Sequence, residues 1–249
     1  IKVILSGCCG KMGEVLQGLI NEKENMTLVA GIDNESSSSA IFPIYNDFNI
    51  IKEKADVIID FSNRSVLKKL LEYAFKNKVS AVIATTGYTD EDEAMIKEAS
   101  KQIPVFRSAN MSYGINVLSR ILRTAVKFLE EDFDIEIIES HHNQKQDSPS
   151  GTAKMLLNTI KDNINIKTEE VYGRVGGNTK RNNNEIGIHA IRGGTISGEH
   201  TILFAGNDEN IEIKHTAMSK KIFANGAIKA AEYLNSCNPG YYNMDDIIN

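Results

Sequence analysis

The sequence predicts an α/β protein in two parts, a doubly wound parallel sheet followed by a second α+β domain with its own sheet. Short apolar runs alternate with amphipathic segments over about the first 110 residues, which is typical of parallel strands joined by helices. The amphipathic stretch 115–129 then predicts a long helix. After it, strand-like runs joined by tight, glycine-containing turns favour an antiparallel sheet.

In the first part, five strands and three helices are predicted in alternation, because each apolar run ends at glycine, aspartate or another polar residue. A run of serines at 36–39 is expected to be a polar loop. The strands are expected at 2–6, 27–32, 56–61, 79–87 and 103–110, and the helices after Gly13, at 65–77 and at 90–100.

The second part begins with the helix at 115–129 and has a different order of elements. A polar, glycine-rich stretch at 173–184 separates its two halves. Further strands are expected at 134–140, 185–194, 195–206 and 210–217, and further helices at 152–162 and 219–234.

Composition excludes several classes of protein. A chain of 249 residues can bury a sizeable core, and its net charge of −5 gives no general attraction to nucleic acid or to anionic membranes. No apolar run approaches the roughly 18 residues of a membrane span, and the opening run lacks the features of a signal peptide. Three cysteines, two of them adjacent, predict no disulfide framework and favour the cytoplasm.

A glycine-rich turn after the first strand predicts a bound dinucleotide. Gly7, Gly10 and Gly13 follow that strand and open a helix, where glycine lets the backbone approach a pyrophosphate and free N–H groups bind it. Asp33 ends the next strand, about 20 residues further on, where an acid binds the adenosine ribose. The alternative is a strand–turn–helix with a purely structural role.

The residues around this turn bear on which dinucleotide is bound. Asp33 repels a 2′-phosphate and Asn34 offers no positive charge, although Lys11 gives some compensation. NADH is therefore expected to serve at least as well as NADPH. Cys8 and Cys9 are either small residues tolerated beside glycine or redox-sensitive thiols, since a helix N-terminus lowers a thiol pKa.

Three kinds of chemistry meet between residues 141 and 152. His141 can exchange protons near neutral pH, and Lys145 can pair with a carboxylate or donate a proton. Gly151 and Thr152 begin a predicted helix, whose N-terminus suits a carboxylate. No metal is expected, because cysteines and clustered carboxylates are lacking near His141 and His142.

The other three histidines fall in predicted strands. They are expected to be hydrogen-bonded core or interface residues rather than catalytic groups: His189, His200 and His215.

At this point the sequence resembles the dihydrodipicolinate reductase (4-hydroxy-tetrahydrodipicolinate reductase) family of lysine synthesis. The run EIIESHH at 136–142, Lys145 and the run DSPSGTA at 147–153 carry the resemblance. It extends over essentially the whole chain, through ATTG (84–87), SANMSYGIN (108–116), EIGIHAIRGG (185–194), GEHTILFAG (198–206) and FANGA (223–227).

The resemblance implies a Rossmann-type dinucleotide domain, residues 1–112 with 220–249, and a substrate domain, 113–219, whose open mixed sheet forms a homotetramer. It implies reduction of a small dicarboxylate by NADH or NADPH, with no nucleic-acid or membrane partner. His141 matches the acid/base, Lys145 the proton donor, and His142, Gly151 and Thr152 the substrate contacts. The implied cofactor contacts are Gly7, Cys8, Cys9, Gly10, Lys11, Met12, Asp33, Ala84, Thr85, Thr86, Ser108, Ala109, Asn110 and Met111.

Two other functions remain open from the residues alone. A different dehydrogenase of amino-acid metabolism would share the glycine turn but would not need the segment 141–152. A dinucleotide sensor would need a DNA-binding or effector module, and none is visible in the sequence.

Overall fold

The computed structural model describes residues 1–34, 41–177 and 180–248, so the loop expected at 36–39 lies outside the described residues. The chain forms two compact units. Unit 1 is Ile1–Tyr113 together with the chain from Lys221 on, and unit 2 is Gly114–Lys220. Among the described helices, none has the length and apolar character to cross a membrane.

The strands and helices follow the predicted alternation, with some short additions. The strands are β1 Lys2–Ser6, β2 Thr27–Ile32, β3 Ile44–Tyr45, β4 Val57–Asp60, β5 Ser80–Ile83, β6 Pro104–Arg107, β7 Asp134–His141, β8 Glu169–Tyr172, β9 Glu185–Arg192, β10 Glu199–Ala205, β11 Asn210–Thr216 and β12 Gly240–Tyr242. The helices are α1 Lys11–Asn21, α2 Leu67–Asn77, α3 Asp90–Ser100, α4 Tyr113–Leu129, α5 Gly151–Lys161, α6 Lys221–Leu234 and α7 Met244–Ile248.

Unit 1 contains a seven-stranded parallel sheet in the order β12-β6-β5-β4-β1-β2-β3. The prediction of a doubly wound parallel sheet is confirmed. The strand order reverses between β1 and β4, which is where open α/β sheets bind their ligands, at the carboxyl ends of the strands. The loops after β1, β2, β5 and β6 therefore open onto one edge of the sheet.

Helix α6 packs closely against the rest of unit 1 because it carries small residues on its buried side. Ala224, Ala227 and Ala231 are completely buried. A Cβ at Gly226 would lie only 1.6 Å from the Met111 carbonyl oxygen, so glycine lets the helix contact the backbone that follows β6. The chain after unit 2 thereby completes the core of unit 1.

Unit 2 contains a five-stranded mixed sheet in the order β11-β10-β7-β9-β8. The antiparallel hairpin β10–β11 is confirmed. The antiparallel arrangement that the tight turns favoured is wrong for β9, since β9 pairs in parallel with β7 and β10 pairs with the other side of β7. β7 takes the central place because its Ile135 and Ile137 are buried against α4 and α5. The 193–198 connection consequently crosses the end of β7, where the Gly193 amide bonds the His141 carbonyl at 2.9 Å.

Candidate active site

The glycine turn of unit 1 is a close contact between three backbone segments. Gly7 has a φ of +78°, and a Cβ there would lie 2.5 Å from the Phe61 carbonyl oxygen. A Cβ at Gly13 would lie 2.3 Å from the Gly7 carbonyl oxygen. Gly10 caps α1 without a side-chain hydrogen bond. The helix N-terminus and its glycines thus form a cradle that side chains would fill, which suits a pyrophosphate.

Asp33 stands beside this cradle, at the end of β2. Its Oδ2 accepts a hydrogen bond of 2.9 Å from the Cys9 amide, which fixes the carboxylate against the glycine turn. An open cleft of about 690 Å³ adjoins both, and the predicted contacts Gly7, Cys9, Gly10 and Asp33 line it. Residues that the sequence analysis did not single out also line it, among them Phe48, Ser62, Asn63 and Lys69.

The other predicted cofactor contacts also lie at this edge of unit 1. Lys11 and Met12 begin α1, Ala84–Thr86 follow β5, and 108–111 follow β6. Thr85 is buried, and its hydroxyl donates a hydrogen bond of 2.6 Å to Asp60. Burial raises the pKa of Asp60 despite this bond. These residues do not line the 690 Å³ cleft as far as the described residues define it.

The two adjacent cysteines differ in environment. Cys8 is completely buried, and burial raises the pKa of its thiol to about 12, with the neighbouring Cys9 adding to the effect. The alternative that Cys8 is a redox-sensitive thiol with a lowered pKa is therefore contradicted. The two sulfurs and an Asp33 carboxylate oxygen lie within 4.8 Å of one another, and the Cys9–Asp33 hydrogen bond accounts for this grouping.

In unit 2, His141 ends β7 and lies on its buried face. Side chains alternate along a strand, so Glu139 and His141 point to the same side, and both are buried. His141 Nδ1 lies 2.5 Å from Glu139 Oε2. The His200 ring of β10 stands edge-on to His141, with their centroids 5.2 Å apart.

The N-terminus of α5 is tied to the same carboxylate. The Ser150 amide donates to Glu139 Oε1 at 3.0 Å, while the Ser150 hydroxyl caps the helix by accepting from the Ala153 amide at 3.2 Å. Gly151 is exposed, and a Cβ there would meet nothing within 4 Å. The structure therefore places Gly151 and Thr152 at an open helix N-terminus beside the His141 pair.

Lys145 and His142 belong to the turn between β7 and α5, which contains a cis peptide bond between Ser148 and Pro149. The Lys145 amide donates to the His142 carbonyl at 3.1 Å, and its ammonium group donates to Asp147 Oδ1 at 2.7 Å. That hydrogen bond lowers the pKa of Asp147. Unit 2 thus brings all five predicted catalytic and substrate residues to one end of β7.

One charged residue of this site, Arg192, was not predicted from the sequence, and Glu139 was seen in the motif without a role. Arg192 Nη1 and Nη2 each donate to Glu139 at 2.8 Å, and Nη2 also donates to the Asp147 carbonyl at 2.8 Å. Arg192 lies next to His141 in the register of β7 and β9. Only the parallel pairing of these strands brings Arg192 to Glu139, so no local sequence pattern indicated it.

The remaining histidines occupy strands, as predicted. His189 Nε2 pairs with Glu136 Oε2 at 2.7 Å, and His200 Nε2 lies 3.0 Å from the Ser150 hydroxyl. His215 is half-buried in β11, and burial lowers its pKa.

His200 is expected to make the protein sensitive to acid. Burial lowers its pKa to about 4 from 6.5, with His141 adding to the effect. As pH falls from 6.5 to 4 the unfolded chain takes up a proton that the folded protein excludes, so stability is lost in that window, by roughly 3 kcal/mol. Urea unfolding of the wild type and His200→Gln across this window measures it. The variant should lose less stability than the wild type, and equal losses would contradict the assignment.

Both sites lie in parts of the chain that are similar to known proteins. Residues 1–111 match the family description "Dihydrodipicolinate reductase, N-terminus", and 114–248 match "Dihydrodipicolinate reductase, C-terminus". The chain is 49% identical over 249 residues to a 4-hydroxy-tetrahydrodipicolinate reductase of Clostridium tetani, covering 100% of this chain and 97% of that protein. It is 52% identical over 247 residues to the protein of that name from Clostridium novyi, covering 99% and 98%.

A solved structure shares the fold. Dipicolinate-bound dihydrodipicolinate reductase from Paenisporosarcina sp. TG-14 superposes with a TM-score of 0.85 at 24% identity, over 99% of both chains. The two family matches together span nearly the whole chain and include both the glycine turn and the His141 site. The chain belongs to the dihydrodipicolinate reductase family.

Proposed function

We propose that this protein is a 4-hydroxy-tetrahydrodipicolinate reductase, which uses a nicotinamide dinucleotide to form tetrahydrodipicolinate in diaminopimelate and lysine synthesis. The observation that carries the proposal is the grouping of a buried His–Glu pair, a lysine and an open helix N-terminus at one end of β7. An anionic substrate that must gain a hydride and exchange protons needs these groups.

Unit 1 holds the dinucleotide in this proposal. Gly7, Gly10 and Gly13 leave room for the pyrophosphate at the N-terminus of α1, and Asp33 accepts hydrogen bonds from the adenosine ribose. The other predicted cofactor contacts surround the rest of the dinucleotide. When bound, the reduced nicotinamide supplies the hydride, which is chemistry that no side chain offers.

Unit 2 binds the dicarboxylate and handles its protons. The backbone N–H groups of Gly151 and Thr152 bind one carboxylate, with His142 beside them. Lys145 donates a proton to the reduced substrate, and its ammonium group neutralises nearby negative charge. His141 exchanges a proton at Nε2, including the one needed for loss of the 4-hydroxyl group. Acid–base catalysis of this kind contributes on the order of 10²–10⁴ in rate.

The reaction is tested by following nicotinamide absorbance while a synthase makes the substrate in situ from pyruvate and aspartate semialdehyde. Oxidation that depends on the synthase supports the proposal. A folded protein that binds NADH but oxidises it with no synthase product present, or not at all, contradicts it. A panel of amino-acid dehydrogenase substrates then tests the main rival activity.

NADH is expected to serve at least as well as NADPH, because Asp33 adjoins the cleft as a carboxylate. Asp33→Asn keeps an oxygen that accepts from the Cys9 amide and removes the charge that repels a 2′-phosphate. The ratio of NADPH to NADH kcat/KM should then rise about tenfold, which corresponds to 1.4 kcal/mol. Glu91→Gln, which alters an exposed carboxylate in α3, serves as the control. A wild type with a strong NADPH preference would refute the role of Asp33.

We further propose a homotetramer formed through the sheet of unit 2 and a cytoplasmic location. The face of this sheet turned away from the core of unit 2 supports the assembly, because the neighbouring strands place Ile138, Ile191 and Leu203 on it and none of the three is buried. A contiguous apolar face that its own subunit does not cover is typical of subunit contacts. Sedimentation velocity of the protein gives the oligomeric state directly, and a monomer would contradict this part of the proposal.

A further inference from the structure

Glu139 is a carboxylate in an unusual position, completely buried near the carboxyl end of β7. Its side chain is 0% exposed. It lies two residues before His141 on the same face of β7, and its Oε2 is 2.5 Å from His141 Nδ1. A buried carboxylate is unfavourable unless every lone pair finds a donor. The arrangement around Glu139 must therefore supply those donors.

Four hydrogen bonds from three residues meet this carboxylate. Arg192 of β9 supplies two hydrogen bonds of 2.8 Å, the Ser150 amide supplies one of 3.0 Å, and His141 supplies the fourth. Burial works against ionisation, but the bonds from Arg192, His141 and Ser150 together hold the pKa of Glu139 below its usual value. Glu139 is therefore a fixed negative charge at neutral pH.

This charge determines which nitrogen of His141 reacts. An ionised carboxylate can only accept hydrogen bonds, so the neutral ring must carry its proton on Nδ1 and donate a hydrogen bond from there to Glu139. The nitrogen left to exchange protons is Nε2. Gly198 leaves space beside Nε2, because a Cβ at this position would lie 3.1 Å from that nitrogen.

Glu139 is the ionic partner of His141, because the other charged and titratable groups around this ring are neutral or pair elsewhere. His200 of β10 is the ring next to it, and burial keeps that ring neutral, with a pKa of about 4. Lys145 pairs with Asp147, and Arg192 pairs with Glu139 itself. His215 of β11 lies on the far side of His200, in the neighbouring strand.

We propose that Glu139 is the positioning residue for His141: it fixes the Nδ1–H tautomer, holds Nε2 toward the substrate and stabilises the positive charge of the protonated ring. Arg192 in turn keeps the Glu139 carboxylate ionised and in place. This inference rests on the proposed function, in which His141 exchanges a proton with the substrate. It adds two residues, Glu139 and Arg192, to the groups on which turnover depends.

The kinetic test compares Glu139→Gln with Glu136→Gln. Glu136 is a matched control, because it lies on the same strand and also pairs with a histidine and two arginines, His189, Arg174 and Arg181. Glu139→Gln should lower kcat by on the order of 10²-fold or more and change KM much less. Loss of the carboxylate also destabilises the protonated form of the His141 ring. The alkaline limb of the turnover profile should therefore move to lower pH. Glu136→Gln should leave the pH profile unchanged.

A spectroscopic test does not depend on the reaction. In ¹⁵N-histidine NMR, the neutral His141 ring of the wild type should carry its proton on Nδ1, and comparison with His141→Gln assigns its signals among the five histidines. Should Glu139→Gln fail to fold, Glu139→Asp and Arg192→Lys take its place in the kinetic test. A His141 proton on Nε2, or a Glu139 variant with wild-type kcat and pH profile, would overturn the inference. A wild type without reductase activity would instead contradict the proposed function. The NMR result would still decide whether His141 pairs with Glu139 through Nδ1.

Discussion

Replacing His141 with glutamine should lower turnover by on the order of 10²–10⁴-fold, because the variant loses the group that exchanges protons with the substrate. Glutamine keeps a hydrogen-bonding side chain of similar length beside Glu139, so the buried carboxylate retains a donor. His141 belongs to unit 2, whereas the glycine turn and Asp33 belong to unit 1. NADH affinity, measured by fluorescence titration, should therefore stay near that of the wild type.

The matched control for this variant is His189→Gln. His189 also lies in a strand of unit 2 and pairs with a glutamate, Glu136, but it lies away from β7's carboxyl end. It should retain wild-type kcat within a few-fold. Near-normal turnover of His141→Gln would refute the assignment of His141 as the acid/base. A parallel loss in both variants would show that the effect comes from the packing of the sheet.

Replacing Gly13 with alanine should damage the dinucleotide cradle. The added Cβ would lie 2.3 Å from the Gly7 carbonyl oxygen and 2.4 Å from the Cys8 carbonyl oxygen, both of which belong to the backbone of the turn. The turn must move away from α1 to make room, and such overpacking costs about 1–3 kcal/mol. NADH affinity should fall at least tenfold, and the melting temperature should fall as well.

Gly18→Ala gives the control on the same helix. Gly18 is exposed in α1, and a Cβ there would meet nothing within 4 Å. Alanine favours helix over glycine by about 1 kcal/mol, so this variant should be as stable as the wild type or more so, with unchanged NADH affinity. Titration and thermal melts of both variants make the comparison. Equal behaviour of the two would show that the close contact at Gly13 does not matter.

The sequence predicted those parts of the fold that repeat a local pattern. The glycine turn, the buried strands and the helix at 115–129 were all placed correctly, since each carries its own periodicity or turn residues. The short edge strands β3, β8 and β12 were not predicted, because none of them contains a buried residue and so none carries an apolar run. The antiparallel arrangement expected for β9 was wrong, since glycines in tight turns do not reveal which strand becomes the neighbour.

The candidate site divides in the same way. His141, Lys145, Gly151 and Thr152 lie close together in the chain, so one segment indicated them. Arg192 is 53 residues from Glu139 and meets it only through the pairing of β7 with β9. Glu139 itself was visible in the motif, but its burial and its four donors depend on strands and a helix that fold around it.

Hydride transfer from the nicotinamide to the substrate is tested most directly with NADH and NADPH deuterated at C4 of the nicotinamide, with the substrate made in situ. Mass spectrometry of tetrahydrodipicolinate then shows where the hydride has gone. The product from the wild type should carry one deuterium, and product formation in His141→Gln should be slower by on the order of 10²-fold or more. Hydride transfer would be contradicted if the product stayed unlabelled with either stereochemical form (4R or 4S) of both deuterated cofactors. It would also be contradicted if a folded protein that binds the cofactors gave no product.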